Sequence, residues 1–129
     1  MPTPVTDPDR SFGVVIIGGG PAGSSAAAML AKSGHRVALF DRHSFPRFHV
    51  GESLVPAVNL TLEKLGVLGQ MDEHGFPQKH GVQFYSPSGP SRPFYFSEVR
   101  DPRMQHTWQV LRSDFDKMLL DNAIAAGAH

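Results

Sequence analysis

Apolar and polar positions in the first forty residues follow two different periods. GVVIIG, residues 13–18, is an unbroken apolar run, the pattern of a strand buried on both faces of a parallel sheet. PAGSSAAAMLAKSG, residues 21–34, follows at once. It is Ala-rich, with Pro21 where a first-turn proline is tolerated and Gly34 where a helix-terminating glycine belongs. RVALFD, residues 36–41, is a second apolar run that ends on an acid. Strand, helix and strand in about 30 residues make one right-handed βαβ unit.

The pattern then loosens. LVPAVNLTLEKLG, residues 54–66, places Leu54, Val58, Leu62 and Leu65 on one helical face and turns Asn59, Glu63 and Lys64 away from it. HGVQFYS (80–86) and RPFYFSE (92–98) alternate as strands do, and the turn-rich PSGPS joins them. SDFDKMLLDNAIAAGA, residues 113–128, predicts a helix with Ser113 as N-cap and Asp116 three residues on. Its buried face would be Phe115, Leu119, Ala123 and Ala126. Two clear parallel strands cannot satisfy the edges of a sheet. The expectation is therefore an incomplete α/β fold: the N-terminal piece of a longer protein, or a truncated one.

Composition narrows the function classes. The 129 residues are 40% hydrophobic and 19% charged with zero formal net charge, so no electrostatic footprint points to nucleic acid or an anionic membrane. The chain has no cysteine, which excludes disulfides, Fe–S clusters and a thiol nucleophile. Its seven histidines show no ligand spacing for a metal. The Pro-rich start, MPTPVTDPDR, lacks the basic and apolar regions of a secretion signal, and no apolar run approaches the ~18 residues of a membrane span. A cytoplasmic protein with a loose tail over residues 1–11 is expected.

The chemistry begins at Gly18-Gly19-Gly20-Pro21-Ala22-Gly23, which fits G-x-G-x-x-G between a buried strand and an Ala-rich helix. Gly18 permits the tight turn, Gly20 lets backbone approach a pyrophosphate, and Gly23 lets helix and strand pack closely. The phosphates would sit at the helix N-terminus, where unpaired N–H groups and the helix dipole favour anions. Asp41, at the end of the second strand, would accept the ribose hydroxyls of an adenosine and repel a 2′-phosphate. The loop alone serves NAD and FAD equally.

GGGPAGSSAAAMLAKSGHRVALFDR resembles the FAD-binding start of flavin monooxygenases, and so does WQVLRSDFDKMLLDNA. The resemblance implies a Rossmann-like FAD-binding domain with a glutathione-reductase-type front end, of which residues 12–129 would be the N-terminal part. It adds Pro21, Ala22, Arg42, Gln109 and Arg112 to the expected cofactor contacts. FPRFHVGESLVP, residues 45–56, narrows it further. A Pro-Arg-x-x-x-Gly-Glu-Ser-x-x-Pro stretch after the ribose acid resembles the flavin-dependent halogenases, and geranylgeranyl-reductase-like proteins share a looser version. In that reading Arg47, Gly51, Glu52 and Ser53 face the flavin and its phosphates. Gly51 would give close backbone approach, Ser53 would cap the following helix, and Arg47 would pair with the pyrophosphate or with Glu52.

Lys32, Lys64 and Lys117 fall on predicted helices, whereas Lys79 precedes a strand and follows a proline that fixes the chain. Halogenases carry an essential lysine at a similar point. There it holds hypohalous acid, by hydrogen bond or as a haloamine, and directs it to an aromatic carbon. The partners implied are an electron-rich aromatic substrate, free or tethered to a carrier protein, a chloride or bromide ion, and a separate flavin reductase. The Trp-x-Trp-x-Ile-Pro motif of that family is not present, because Trp108 is the single tryptophan; in the family it lies further along than residue 129. Two rival readings remain. One is a flavin monooxygenase or prenyl reductase with the same front end, and the other a non-catalytic nucleotide-binding remnant.

Overall fold

A computed structural model describes residues 11–129; the expected tail lies outside that range except for Ser11. The chain forms two compact units, one built from the segment up to Arg47 and from Phe115–His129, the other from Phe48–Asp114.

In the first unit, β1 (Val14–Ile17) and β2 (Val37–Phe40) pair in parallel, with Val14 opposite Val37 and Ile17 opposite Phe40. Helix α1 (Pro21–Lys32) makes the crossover. Pro21 stands at its first turn, and Gly34, at φ 86°, follows its C-terminus. The core is Ala27 and Ala28 of α1, Val37 and Ala38 of β2, and Phe115, Met118, Leu119 and Ala123 of the last helix, α4 (Arg112–Ala125). The backbone of His129 donates to Val37 O and its carbonyl accepts from Leu39 N, so it pairs with the edge of β2. The expectation that β1 is buried on both faces does not hold: Val15 is 59% and Ile17 90% exposed. Burial of a whole apolar run needs a layer on each face, and among the described residues only the Val14 and Ile16 side is covered.

In the second unit, α2 (Val58–Leu65) ends at Gly66 in the left-handed conformation. Leu62, Leu65, Val67, Met71, Phe76, Phe96, Trp108 and Val110 form its core, with the single-turn α3 (Gln70–Glu73) supplying Met71. Short antiparallel pairs complete it: β3 (Gln78–Lys79) with β8 (Thr107–Trp108), β4 (Gly81–Val82) with β7 (Phe94–Tyr95), and β5 (Tyr85–Ser86) with β6 (Gly89–Pro90). The expected strand over 80–86 is interrupted at Gln83 and Phe84. There Ser91 intervenes: its hydroxyl accepts from Phe84 N, and its carbonyl accepts from the Gln83 side chain. The expected strand over 92–98 ends early in a 3-10 turn, Phe96–Glu98.

Three helical expectations are corrected. Helix α2 starts four residues later than its apolar pattern, with Ala57 at its N-cap: Ser53 is bridged to Gln109 as extended chain, and Pro56 disfavours helical backbone at Val55. Asn59 is not turned away; it is buried beneath that helix. Its Oδ1 accepts from Trp108 Nε1 at 3.1 Å, and its Nδ2 donates to the carbonyls of Arg103 and His106 at 2.9 and 3.0 Å. An amide has donors and acceptor enough to satisfy all three, which is how a polar residue survives in a core. Ser113 is likewise inside the first turn of α4 rather than capping it, and its hydroxyl meets the Asp114 carboxylate.

Candidate functional site

The glycine loop of the first unit is held from several sides. Gly18, at φ 108°, turns the chain out of β1 while its N–H donates to Phe40 O at 2.7 Å. The Gly19 peptide is clamped at both ends: its N–H donates to Asp41 Oδ2 at 2.8 Å, and its carbonyl accepts from the buried Ser24 hydroxyl at 2.8 Å. A Cβ on Gly23 would stand 1.8 Å from Gly18 O, so only glycine allows α1 to start this close to the end of β1. Gly20 is the N-cap of α1 and no side chain caps that end, which leaves the first-turn N–H groups for an anion. Pro21 and Ala22 continue into the helix.

Asp41 braces the loop as well as ending β2. Besides Gly19 N–H, its carboxylate accepts His43 N–H at 2.9 Å. The Gly19 N–H above all, then that of His43 and the charge of Arg47, hold the Asp41 carboxyl below its ordinary value of 3.8, against the opposing effect of burial. A carboxylate offers about four lone-pair sites, so two backbone donors leave capacity for ribose hydroxyls. Arg42 beside it is exposed.

Arg47 lies against the loop. A Cβ on Gly20 would come within 3.3 Å of Arg47 Nη2. Its guanidinium stacks on the Phe45 ring at 4.8 Å and pairs with Asp116 at 3.5 Å and Asp41 at 3.9 Å. These two acids are its ion-pair partners within this unit. Asp116 is fully buried on α4, where Arg47 compensates its charge. Arg47 Nε is buried and has no hydrogen-bond acceptor. Within the same unit a cavity of about 280 Å³ opens beside Asp41, walled by Leu39, Phe45, Leu120 and Ile124.

The second unit carries the remaining candidates. Gly51 adopts φ 103°, and Arg112 Nη1 donates to Val50 O at 2.7 Å, which fixes that loop. A Cβ on Gly51 would meet the same Nη1 at 3.0 Å. Ser53 forms an antiparallel bridge with Gln109, flanked by Leu54 N donating to Trp108 O and Val110 N donating to Glu52 O. On the other side Gln109 N donates to Pro77 O, and Lys79 stands in register with Thr107. Residues 107–110 therefore run between the 52–54 and 77–79 segments. Across this frame the Lys79 ammonium donates to Ser53 Oγ and, at 3.4 Å, to Leu54 O. Ser53 does not cap α2, contrary to expectation, since that helix begins beyond it. Glu52 and Gln109 border a separate open hollow of about 350 Å³, together with His74 and Asp114. No group of three or more His, Asp or Glu side chains suited to a metal occurs among the described residues.

The sequence model of the tryptophan halogenase family matches residues 13–129. The chain belongs to the tryptophan halogenase family. It is 39% identical to the 1H-pyrrole-2-carbonyl-(peptidyl-carrier protein) chlorinase of Pseudomonas fluorescens, a match covering 93% of this chain and 30% of that protein. The corresponding brominase of Pseudoalteromonas luteoviolacea is 42% identical over 92% of this chain and 28% of its own length. Among solved structures, the myxobacterial chondrochloren halogenase CndH, an FAD-dependent halogenase, superposes with a TM-score of 0.82 at 39% identity, covering 91% of this chain and 27% of that one. A point mutant of halogenase PltM in complex with FAD superposes with a TM-score of 0.72 at 26% identity, covering 92% of this chain and 27% of that one. This halogenase-family chain thus spans less than a third of the length of these curated relatives. The Rossmann-like front end expected from the glycine loop is the fold these neighbours share.

Sequence reasoning missed several residues of the site. Gly19 reads as a spacer, Ser24 as an ordinary helix residue and Asp116 as a capping acid. Only Asp116 left a trace, as an acid adjoining the apolar Phe115–Leu119 face. No helix among the described residues is long and apolar enough to cross a membrane.

Proposed function

We propose that this chain is the FAD-binding front of a flavin-dependent halogenase that chlorinates or brominates an electron-rich aromatic substrate. Three features of the first unit fit FAD. The Gly23–Gly18 approach leaves no room for a side chain, the end of α1 is uncapped, and Arg47 Nε is a buried donor without an acceptor beside Gly20. Gly18, Gly20, Pro21, Ala22 and Gly23 would hold the pyrophosphate with Arg47, and Asp41 the ribose, with Arg42 flanking it. Gly51, Glu52, Gln109 and Arg112 are assigned to the flavin end, whereas the Ser53 hydroxyl, expected there too, is engaged by Lys79. When bound and reduced, the flavin supplies oxygen activation and the oxidation of a halide. A separate reductase would deliver it reduced.

The observation that carries the halogenase reading is the Lys79 ammonium held by Ser53 and Leu54. A lysine tied to its own frame has a defined position, which a carrier of hypohalous acid needs. The nitrogen holds the acid by hydrogen bond, or forms an N–halogen bond with release of water, and presents the halogen to an aromatic carbon. The substrate, free or carrier-tethered, gives up a ring proton in exchange. The brominase and chlorinase relatives act on a pyrrole bound to a carrier protein, which supports an aromatic of that kind.

The test uses a protein of full family length with reduced FAD, oxygen, an electron-rich aromatic and chloride or bromide. Lys79→Ala is expected to bind FAD and consume oxygen like the parent but to yield no halogenated product by mass spectrometry. Halogenation at the parent rate would refute the lysine's role, and a hydroxylated product independent of halide would make the protein a monooxygenase.

A further inference from the structure

We infer that Ser53 is a positioning residue for Lys79, setting where the ammonium presents its reacting N–H; this rests on the halogenase reading above. The structure separates Ser53 from the helix-capping role its sequence position suggests. Helix α2 starts at Val58 with Ala57 as N-cap, so the Ser53 hydroxyl has no helix N–H to serve. It accepts instead from Lys79 Nζ.

The backbone makes that contact a defined one. Ser53 is fixed by its bridge to Gln109 and by the flanking bonds from Leu54 N to Trp108 O and from Val110 N to Glu52 O. Lys79 is fixed by pairing with Thr107 and by the Gln109 N to Pro77 O bond. Both side chains therefore leave one frame, residues 107–110, from opposite edges. An ammonium carries three N–H donors. Ser53 Oγ and Leu54 O account for two of them, and the third is the one left to meet a reactant. Removing the hydroxyl would let a flexible four-carbon stem sweep through several rotamers, and a reacting atom misplaced by about 1 Å can lose a large part of its rate.

Stability and positioning separate cleanly here. Ser53 is exposed and Lys79 half-buried, and hydrogen bonds at such positions contribute little to folding. Ser53→Ala should therefore fold and melt like the parent in a protein of full family length.

The experiment compares Ser53→Ala, Ser53→Thr and Lys79→Ala, measuring FAD affinity, flavin reoxidation, and halogenated product per flavin reoxidised. Ser53→Ala is expected to keep FAD affinity, reoxidation rate and aromatic-substrate KM, while kcat for halogenation falls roughly ten- to a hundredfold, the effect of one lost charge-assisted hydrogen bond. Ser53→Thr, which restores a hydroxyl, should recover most of that loss. If Ser53→Ala halogenates normally while Lys79→Ala is inactive, the positioning role is overturned and the lysine's role stands. If Lys79→Ala is fully active, both fall. If Ser53→Ala loses FAD affinity instead of product coupling, the hydroxyl serves the cofactor and the inference is wrong.

Discussion

Replacing Gly23 by alanine adds a single methyl at the point where α1 leaves the glycine loop. The new Cβ would lie 1.8 Å from Gly18 O, 3.0 Å from the same carbonyl carbon and 3.3 Å from Ile16 Cγ2. An ordinary carbon–oxygen contact needs about 3.3 Å, so the two backbone segments must part by about 1.5 Å. Neither can yield alone: Gly18 N–H is tied to Phe40 O, and Gly19 is held by Asp41 and Ser24. Overpacking of this kind costs about 1–3 kcal/mol in stability. The same displacement moves the first-turn N–H groups of α1 off an anion, and losing one charge-assisted hydrogen bond there weakens FAD by roughly 10- to 100-fold. The assay is FAD titration of the stripped protein at full family length, followed by flavin fluorescence, with thermal unfolding alongside. Gly69→Ala is the internal control, since its added Cβ meets nothing within 4 Å and its φ of −63° suits any residue; both readouts should stay unchanged. A Gly23→Ala protein that binds FAD within twofold of the parent and melts at the same temperature would refute the close-approach argument and the loop's assignment with it.

Asp41→Asn should weaken FAD binding, because the amide loses one acceptor toward the ribose and the brace on Gly19; isothermal titration checks this, and equal affinity would remove Asp41 from the site. The Asp41 carboxyl titrates below 3.8 in the folded chain. A depressed carboxyl contributes stability above its unfolded value, near 3.9, and that contribution is lost as pH falls through the lowered folded value. Asp41→Asn should therefore flatten the acid limb of the stability curve below about pH 4, and an unchanged limb in acid titration would count against the brace. Asn59→Ala should cost about 3–5 kcal/mol, as it strands the buried Trp108 N–H and two carbonyls. A urea midpoint within error of the parent, at constant m, would show that water replaces the amide.

The parts of this chain that the sequence made legible are those whose local pattern and tertiary role coincide. G-x-G-x-x-G, the Ala-rich run and the terminal acid each demand the same βαβ geometry, and α1, β2 and the positive φ values at Gly18 and Gly34 follow that demand. Legibility failed where a residue serves a distant partner. Asn59 has the spacing of a solvent-facing residue, yet Trp108, 49 positions away, needs its oxygen. Ser53 has the identity of a helix cap, yet its bridge to Gln109 keeps that stretch extended, α2 begins beyond it, and the hydroxyl meets Lys79, 26 positions on. β1 has the composition of a fully covered strand, yet Val15 and Ile17 face outward in the described chain. Helix and strand periods report which side of an element is apolar; they carry no information about which polar group, dozens of residues away, will meet a given side chain. Lys79 illustrates the consequence: its sequence pattern sets it just before a strand, whereas it lies within β3 opposite Thr107 of β8, and the two oxygens that hold it come from a segment whose own pattern predicted a helix start.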